Sequence, residues 1–202
     1  MRIRKTAQWM LASMAVALAM VIAIRLNFGP RERMVNALQA TARWSFALFW
    51  LASVARPLHT LFGPKLKPLA QHARDLGLSF AAALLIHLGL VAWMYLVSVP
   101  DLSRQFVLFL GVGIFWTYLL AALSFGIVSG AVGAGVARVL RIIGVEYLSL
   151  VFFVDFNKDP FGGDPARIAY YAPFLALTVA GPLLRLGALA KRQMYPSRAA
   201  AP

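Results

Sequence analysis

His87 stands near the middle of residues 76–100, a stretch without a formally charged side chain. A neutral imidazole in apolar surroundings is a good axial ligand for haem iron, and that chemistry needs no cysteine. The same residue can instead be structural, hydrogen-bonded across a helix interface. Glu146 is the second candidate, set in the apolar run 139–154. An unpaired carboxylate in hydrocarbon is costly or keeps its proton, so Glu146 is expected to face the interior of a helix bundle. It then serves either a proton relay or a structural hydrogen bond. Arg141 precedes it by five residues, a loose spacing for a partner, whereas Ser149 follows by three and shares its helix face.

His59 and His72 fall in a basic, proline-containing stretch and read as surface histidines. Asp101, Asp155, Asp159 and Asp164 fall between apolar runs and read as solvated. The chain has no cysteine, which excludes disulfides, thiolate-bound metal, iron–sulfur clusters and Cys nucleophiles. It has no H-E-x-x-H, P-loop or G-x-S-x-G motif, and the glycines from Gly126 to Gly135 follow an apolar helix rather than a strand. Soluble-type catalysis has no support, and no catalytic residue is assigned.

The scaffold for these groups is membranous. Of 202 residues, 61% are hydrophobic and 13% charged, with a mean hydropathy of +0.74. Soluble chains carry about 25% charged residues, and a 22.1 kDa globule cannot hide this much apolar surface. The net charge of +13 would suggest nucleic acid in a soluble chain. Here the basic residues lie mostly in gaps between apolar runs, as loop and headgroup contacts do, so no nucleic-acid partner is expected.

A helix crosses the hydrocarbon with about 20 residues. Residues 7–24 are the first such run, flanked by Arg2, Arg4, Lys5 and Arg25. Its length favours a retained signal anchor over a cleaved signal peptide. The second span runs over 38–55, with Arg43 snorkelling to the interface, and Arg56-Pro57 closes it. A basic loop over 57–75 follows, kept from long helix by Pro57, Pro64 and Pro68. Span three is 76–100, and 101–104 is a tight turn. Span four ends near Phe125, with 126–137 a bent, glycine-rich connection whose Gly126 and Gly130 have G-x-x-x-G spacing. Span five covers 139–154, a loop covers 155–167, and span six covers 166–189 despite Pro173 and Pro182.

With six spans, thirteen of the twenty Lys and Arg lie on the side of both termini and seven on the other. Both termini are therefore expected in the cytoplasm, in a bacterial-type inner membrane. The domain reading is a signal-anchor helix and basic loop over 1–37, a transmembrane helical domain over 38–190, and a solvated tail over 191–202.

Three stretches carry a resemblance. Thr41-Ala42-Arg43-Trp44 through Ala47-Leu48 to Arg56-Pro57-Leu58 looks like a core helix with a Thr-Pro-Leu-type exit. Ala73-Arg74-Asp75-Leu76-Gly77-Leu78, ending nine residues before His87, is similar to an Arg-Arg-x-Leu-Gly-Leu opening that leads to a Leu-His haem ligand. Ala121-Ala122-Leu123-Ser124, with Arg138-Val139-Leu140 after it, resembles a Leu-Ala-x-Thr-Ser turn and the approach to the next ligand helix. Over 38–190 the chain thus resembles the ferric-reductase-like transmembrane domain. Within that family it looks most like the bacterial haem-binding membrane subunits that deliver electrons to periplasmic methionine sulfoxide reductase.

The resemblance implies an all-α bundle of about six transmembrane helices that carries electrons on b-type haem. It breaks at the second ligand. The family pattern is Trp-x-x-Leu-His, and this chain reads Val145-Glu146-Tyr147-Leu148-Ser149. Ser149 stands where a haem histidine would be, and no histidine follows it. What the resemblance implies is therefore one haem b, on His87, in an electron-transfer subunit with an incomplete site and a redox partner protein. The alternative is a haem-less descendant, a structural or assembly subunit of a membrane complex. A transporter reading rests on the proline-broken spans and Glu146, and the lack of an inverted repeat counts against it.

Overall fold

In the computed structural model, the described residues are 2–98, 104–125, 129–157 and 165–194, and nearly all of them are helical. Six long helices follow one another: α1 (Arg2–Asn27), α2 (Pro30–Phe62), α3 (Lys67–Ser98), α4 (Arg104–Phe125), α5 (Ser129–Phe156) and α6 (Pro165–Met194). A single 3-10 turn, Pro64–Leu66, joins α2 to α3. Helices are the form that satisfies every backbone group within one segment where no water is present. Four of them contain stretches long and apolar enough to cross a membrane: Arg4–Asn27, Ala73–Val97, Val107–Phe125 and Ile168–Met194. Large apolar side chains such as Leu11, Ile22, Leu96, Leu108, Leu183 and Leu186 point outward. An exterior of that kind suits lipid rather than water, and the chain is an integral membrane protein.

Side-chain contacts set the helix directions. Thr6 donates to Asp75 at 2.7 Å and Ser13 to the Ser79 carbonyl at 3.0 Å, so α1 and α3 run parallel. Gln39 meets Tyr171, and further along Lys191 meets the Leu61 carbonyl, so α2 and α6 are parallel too. Consecutive helices otherwise alternate, as short connections require. The N-terminal ends of α1, α3 and α5 lie at one end of the bundle, and those of α2, α4 and α6 at the other.

The core sits among α2, α3, α5 and α6 and is largely phenylalanine. Phe46 contacts Phe152 and Phe156 with ring centroids 5.0 Å apart in each pair, and Phe49 contacts Phe80 and Phe152 at 5.4 Å. Phe174 of α6 completes the group, 5.3 Å from Phe156. α4 packs on α5, where Gly144 lets Trp116 and Leu120 approach the helix backbone.

Several expected boundaries move. α2 does not close at Arg56-Pro57 but continues through Pro57 to Phe62. Proline removes one helical hydrogen bond there, and packing of α2 along α3 and α6 outweighs that loss. The stop is Gly63, whose φ of 89° suits glycine and whose N–H bonds the His59 carbonyl at 3.0 Å. Pro68 falls in the first turn of α3, where its missing N–H has no helical partner to lose. Most of the loop expected over 57–75 is therefore helix. The connection expected over 126–137 is helical from Ser129, with its bend at Gly133, φ 77°. Gly126, Asp101, Asp159 and Asp164 lie outside the described residues. Asp155 belongs to the end of α5 rather than a loop, and Lys191 to α6 rather than the tail. Residues 195–202 of that tail lie outside the described residues.

Candidate functional site

His87 lies on α3 facing Thr41 of α2, with its Nδ1 3.0 Å from the Thr41 Oγ1. Thr41 is fully buried, and its hydroxyl also lies 2.7 Å from the Ala37 carbonyl, one turn back on its own helix. A carbonyl only accepts, and the hydroxyl has one proton. The Leu38 carbonyl is 3.1 Å from the same hydroxyl, so Thr41 bridges its own helix and the imidazole. A hydrogen bond at one ring nitrogen orients a histidine that ligates through the other.

Beside His87 is a cavity of about 640 Å³ between α2, α3, α4 and α5. Leu84, Leu88, Val91, Leu110 and Ile114 make its walls apolar, and Phe80, Phe152 and Phe156 of the core close it on one side. Tyr95 near the end of α3, Asp155 near the end of α5, and Gln39 and Tyr171 near the starts of α2 and α6 all line it. The cavity therefore lies toward the end of the bundle opposite the chain's N-terminus. Its volume is that of a site for a cofactor-sized ligand.

Arg43 lines the same cavity. It does not reach out to a carboxylate; its guanidinium lies on the Tyr170 ring, 3.3 Å from the centroid, with Tyr171 and Phe174 slightly beyond 5 Å. Its Nε and Nη1 are buried and have no hydrogen-bond partner. Cation–π contact returns about 2 kcal/mol when desolvated, less than the several kcal/mol that a buried unpaired ion costs. Asp155 has interactions of its own and leaves those two nitrogens unsatisfied. Sequence reading treated Arg43 only as a snorkelling side chain; its position within an apolar helix was the available signal.

Glu146 and Ser149 form a separate group. Arg185 of α6 donates from Nε and Nη2 to the two Glu146 carboxylate oxygens, at 2.8 and 2.7 Å, and from Nη2 to the Ser149 hydroxyl at 3.0 Å. Arg141, the loosely spaced neighbour, turns instead to the Leu123 carbonyl of α4. Ser149 is off the cavity wall, which α5 lines with Leu148, Val151, Phe152, Asp155 and Phe156. The structure thus separates His87 from Glu146 and Ser149. Arg185, overlooked in the sequence because it falls near the basic end of α6, is what holds the latter two together.

His72 is exposed, 3.4 Å from Asp75 and packed against the Trp9 ring; His59 sits in the last turn of α2. Among the described residues no three His, Asp or Glu side chains converge as a ligand set for a bare metal ion. His87 is the one histidine on the cavity wall. The chain matches no protein-family model, no curated protein and no solved structure.

Proposed function

We propose that this chain is a transmembrane electron-transfer subunit of ferric-reductase-like fold that carries one b-type haem on His87. The observation that carries the reading is His87, hydrogen-bonded through Nδ1 to Thr41, on the wall of an apolar cavity of about 640 Å³. A lone imidazole is too little for a bare cation but would serve a haem iron, whose other ligands come with the porphyrin. When bound, a haem supplies reversible one-electron chemistry. The residues of this chain do the rest. His87 would hold the iron, Thr41 would orient the ring, and the leucine and valine walls would surround the group with apolar side chains.

All six helices cross the membrane in this reading. α2 and α5 bring their charges inside as Arg43 on aromatic rings and Glu146 on Arg185. The Lys and Arg distribution puts both termini in the cytoplasm of a bacterial-type inner membrane. The cavity then lies toward the opposite face, where a redox partner protein would meet it. The phenylalanine core fills the space beneath, and His87 is the one histidine on the cavity wall, so it would hold a single haem.

A second reading, a haem-less structural or assembly subunit, is favoured by Ser149, which is bound into the Glu146–Arg185 contact instead of serving as a ligand. Absorption spectra of the detergent-purified protein, oxidised and dithionite-reduced, separate the two. The expected result is a Soret band that shifts on reduction and is lost in His87→Ala. A colourless protein, even after expression with excess haem, overturns the haem reading in favour of the structural one.

A further inference from the structure

The C-terminal ends of α2 and α6 meet at the end of the bundle opposite the cavity, and they bring a basic cluster together. Lys191 donates to the Leu61 carbonyl at 2.9 Å, and Arg192 to the Thr60 hydroxyl at 3.2 Å. Arg56 lies one helical turn before Thr60 and so shares that face of α2. Both Arg56 and Arg192 are exposed. Of the described carboxylates, Asp75 is held by Thr6 and His72, and Glu146 by Arg185. Glu32 and Asp155 belong to the other end. None of them answers Arg56, Lys191 or Arg192.

The cluster stands where the apolar part of α6 stops. Leu183, Leu186 and Leu189 are exposed and follow one another at intervals of three, so an apolar strip leads up to Arg192. Acyl chains cover such a strip in a membrane, which puts the two arginines at the level of the headgroups. A guanidinium holds phosphate oxygens through parallel N–H donors, which an ammonium cannot do.

We propose that Arg56 and Arg192 bind the phosphate of an anionic phospholipid whose acyl chains lie along Leu186 and Leu189. The apolar strip favours a lipid over a free phosphate, which has nothing to cover the leucines. Thr60 fixes Arg192 before the lipid arrives, and Lys191 ties the two helix ends together. The site exists because α2 continues through Pro57 to carry Thr60 and Leu61. It is independent of the haem reading.

The test is native mass spectrometry of the protein released from nanodiscs of phosphatidylcholine and phosphatidylglycerol in equal amounts, which counts the lipids retained. The unmodified protein is expected to retain phosphatidylglycerol in preference. Arg56→Gln combined with Arg192→Gln should reduce that preference by roughly five-fold for each arginine, the weight of one basic side chain at an anionic surface. Lys65→Gln combined with Lys67→Gln removes the same charge from exposed positions of the same end, outside the cluster, and should keep most of it. Equal losses in the two double variants overturn the site and leave a diffuse basic surface. Absence of any preference in the unmodified protein overturns it as well. Excess glycerol 1-phosphate, which has the phosphate without the chains, should leave the bound lipid in place; displacement overturns the assignment to a lipid. Arg56→Gln alone, compared with Lys65→Gln, decides the matter if the double arginine variant does not fold.

Discussion

Arg185 and Glu146 face each other across α5 and α6 in a two-pronged contact, 2.8 Å from Nε and 2.7 Å from Nη2. Arg185 is largely covered while Glu146 is about half exposed. Where the exposed side faces lipid, pairing is what makes the carboxylate tolerable, because the two charges cancel at contact distance.

Removing one partner is therefore expected to cost more than removing both. Arg185→Met leaves a lone carboxylate, whereas Glu146→Gln together with Arg185→Met leaves a neutral amide. The coupling should fall in the range of about 0.5–3 kcal/mol found for residues of one network. Thermal unfolding of the two single variants and the double variant in one detergent measures it. Strict additivity would show that the contact contributes no coupling.

Thr41→Val should disturb His87 without touching the cavity wall. It removes the hydroxyl that His87 Nδ1 bonds and leaves that ring nitrogen without it, a loss of about 1–3 kcal/mol. Haem affinity should fall by about 10–100-fold, as when the group that orients a ligating histidine is lost. Thr41→Ser should retain most of it. Titration of the two variants against haem checks this, and equal affinities for Val and Ser would contradict the orienting role of Thr41.

α1 is docked rather than merely tethered. Thr6 bonds Asp75, Ser13 bonds the Ser79 carbonyl, and the Trp44 indole donates to the Ser13 carbonyl at 3.1 Å. Protein extracted from membranes is expected to keep residues 1–27, which intact mass measurement decides. Ser13→Leu, placed on a nearly fully buried site, should cost about 1–3 kcal/mol by overpacking. A cleaved N-terminus would exclude α1 from the mature bundle.

Two glycine substitutions should differ in sign. A methyl added at Gly144 would lie 2.8 Å from the Trp116 ring and 3.2 Å from Leu120, so Gly144→Ala forces α4 away from α5. The expected cost is about 1–3 kcal/mol. Gly89 has open space in α3, and Gly89→Ala should gain roughly the helix propensity difference, 0.5–1 kcal/mol. Paired melting curves test this; equal shifts for both would mean that α4 and α5 do not pack through Gly144.

Apolar content, the breaks between runs and the isolation of His87 in an uncharged segment were all legible in the linear chain. Each depends on transfer of local side chains and on backbone groups satisfied within one helix. α6 runs through Pro173 and Pro182, as its apolar content suggested. Proline was the misleading signal at Pro57. Its local cost is one hydrogen bond, and the sequence does not display the packing along α3 and α6 that exceeds it.

The pairings belong to the tertiary structure. Glu146 looked to Arg141, five residues away, and found Arg185, thirty-nine residues away on another helix. His87 is hydrogen-bonded to Thr41 on α2, and Ser149, aligned by pattern with a ligand, is turned to α6 instead of the cavity. Arg43 became a site residue only when three aromatic rings and a cavity gathered around it. By itself the sequence determined that these polar groups sit in a membrane-embedded helical chain, because burial preference is a property of each segment. Which of them meet was decided by the order and direction in which the helices pack, because a hydrogen bond or ion pair acts over a few ångströms and needs both partners present.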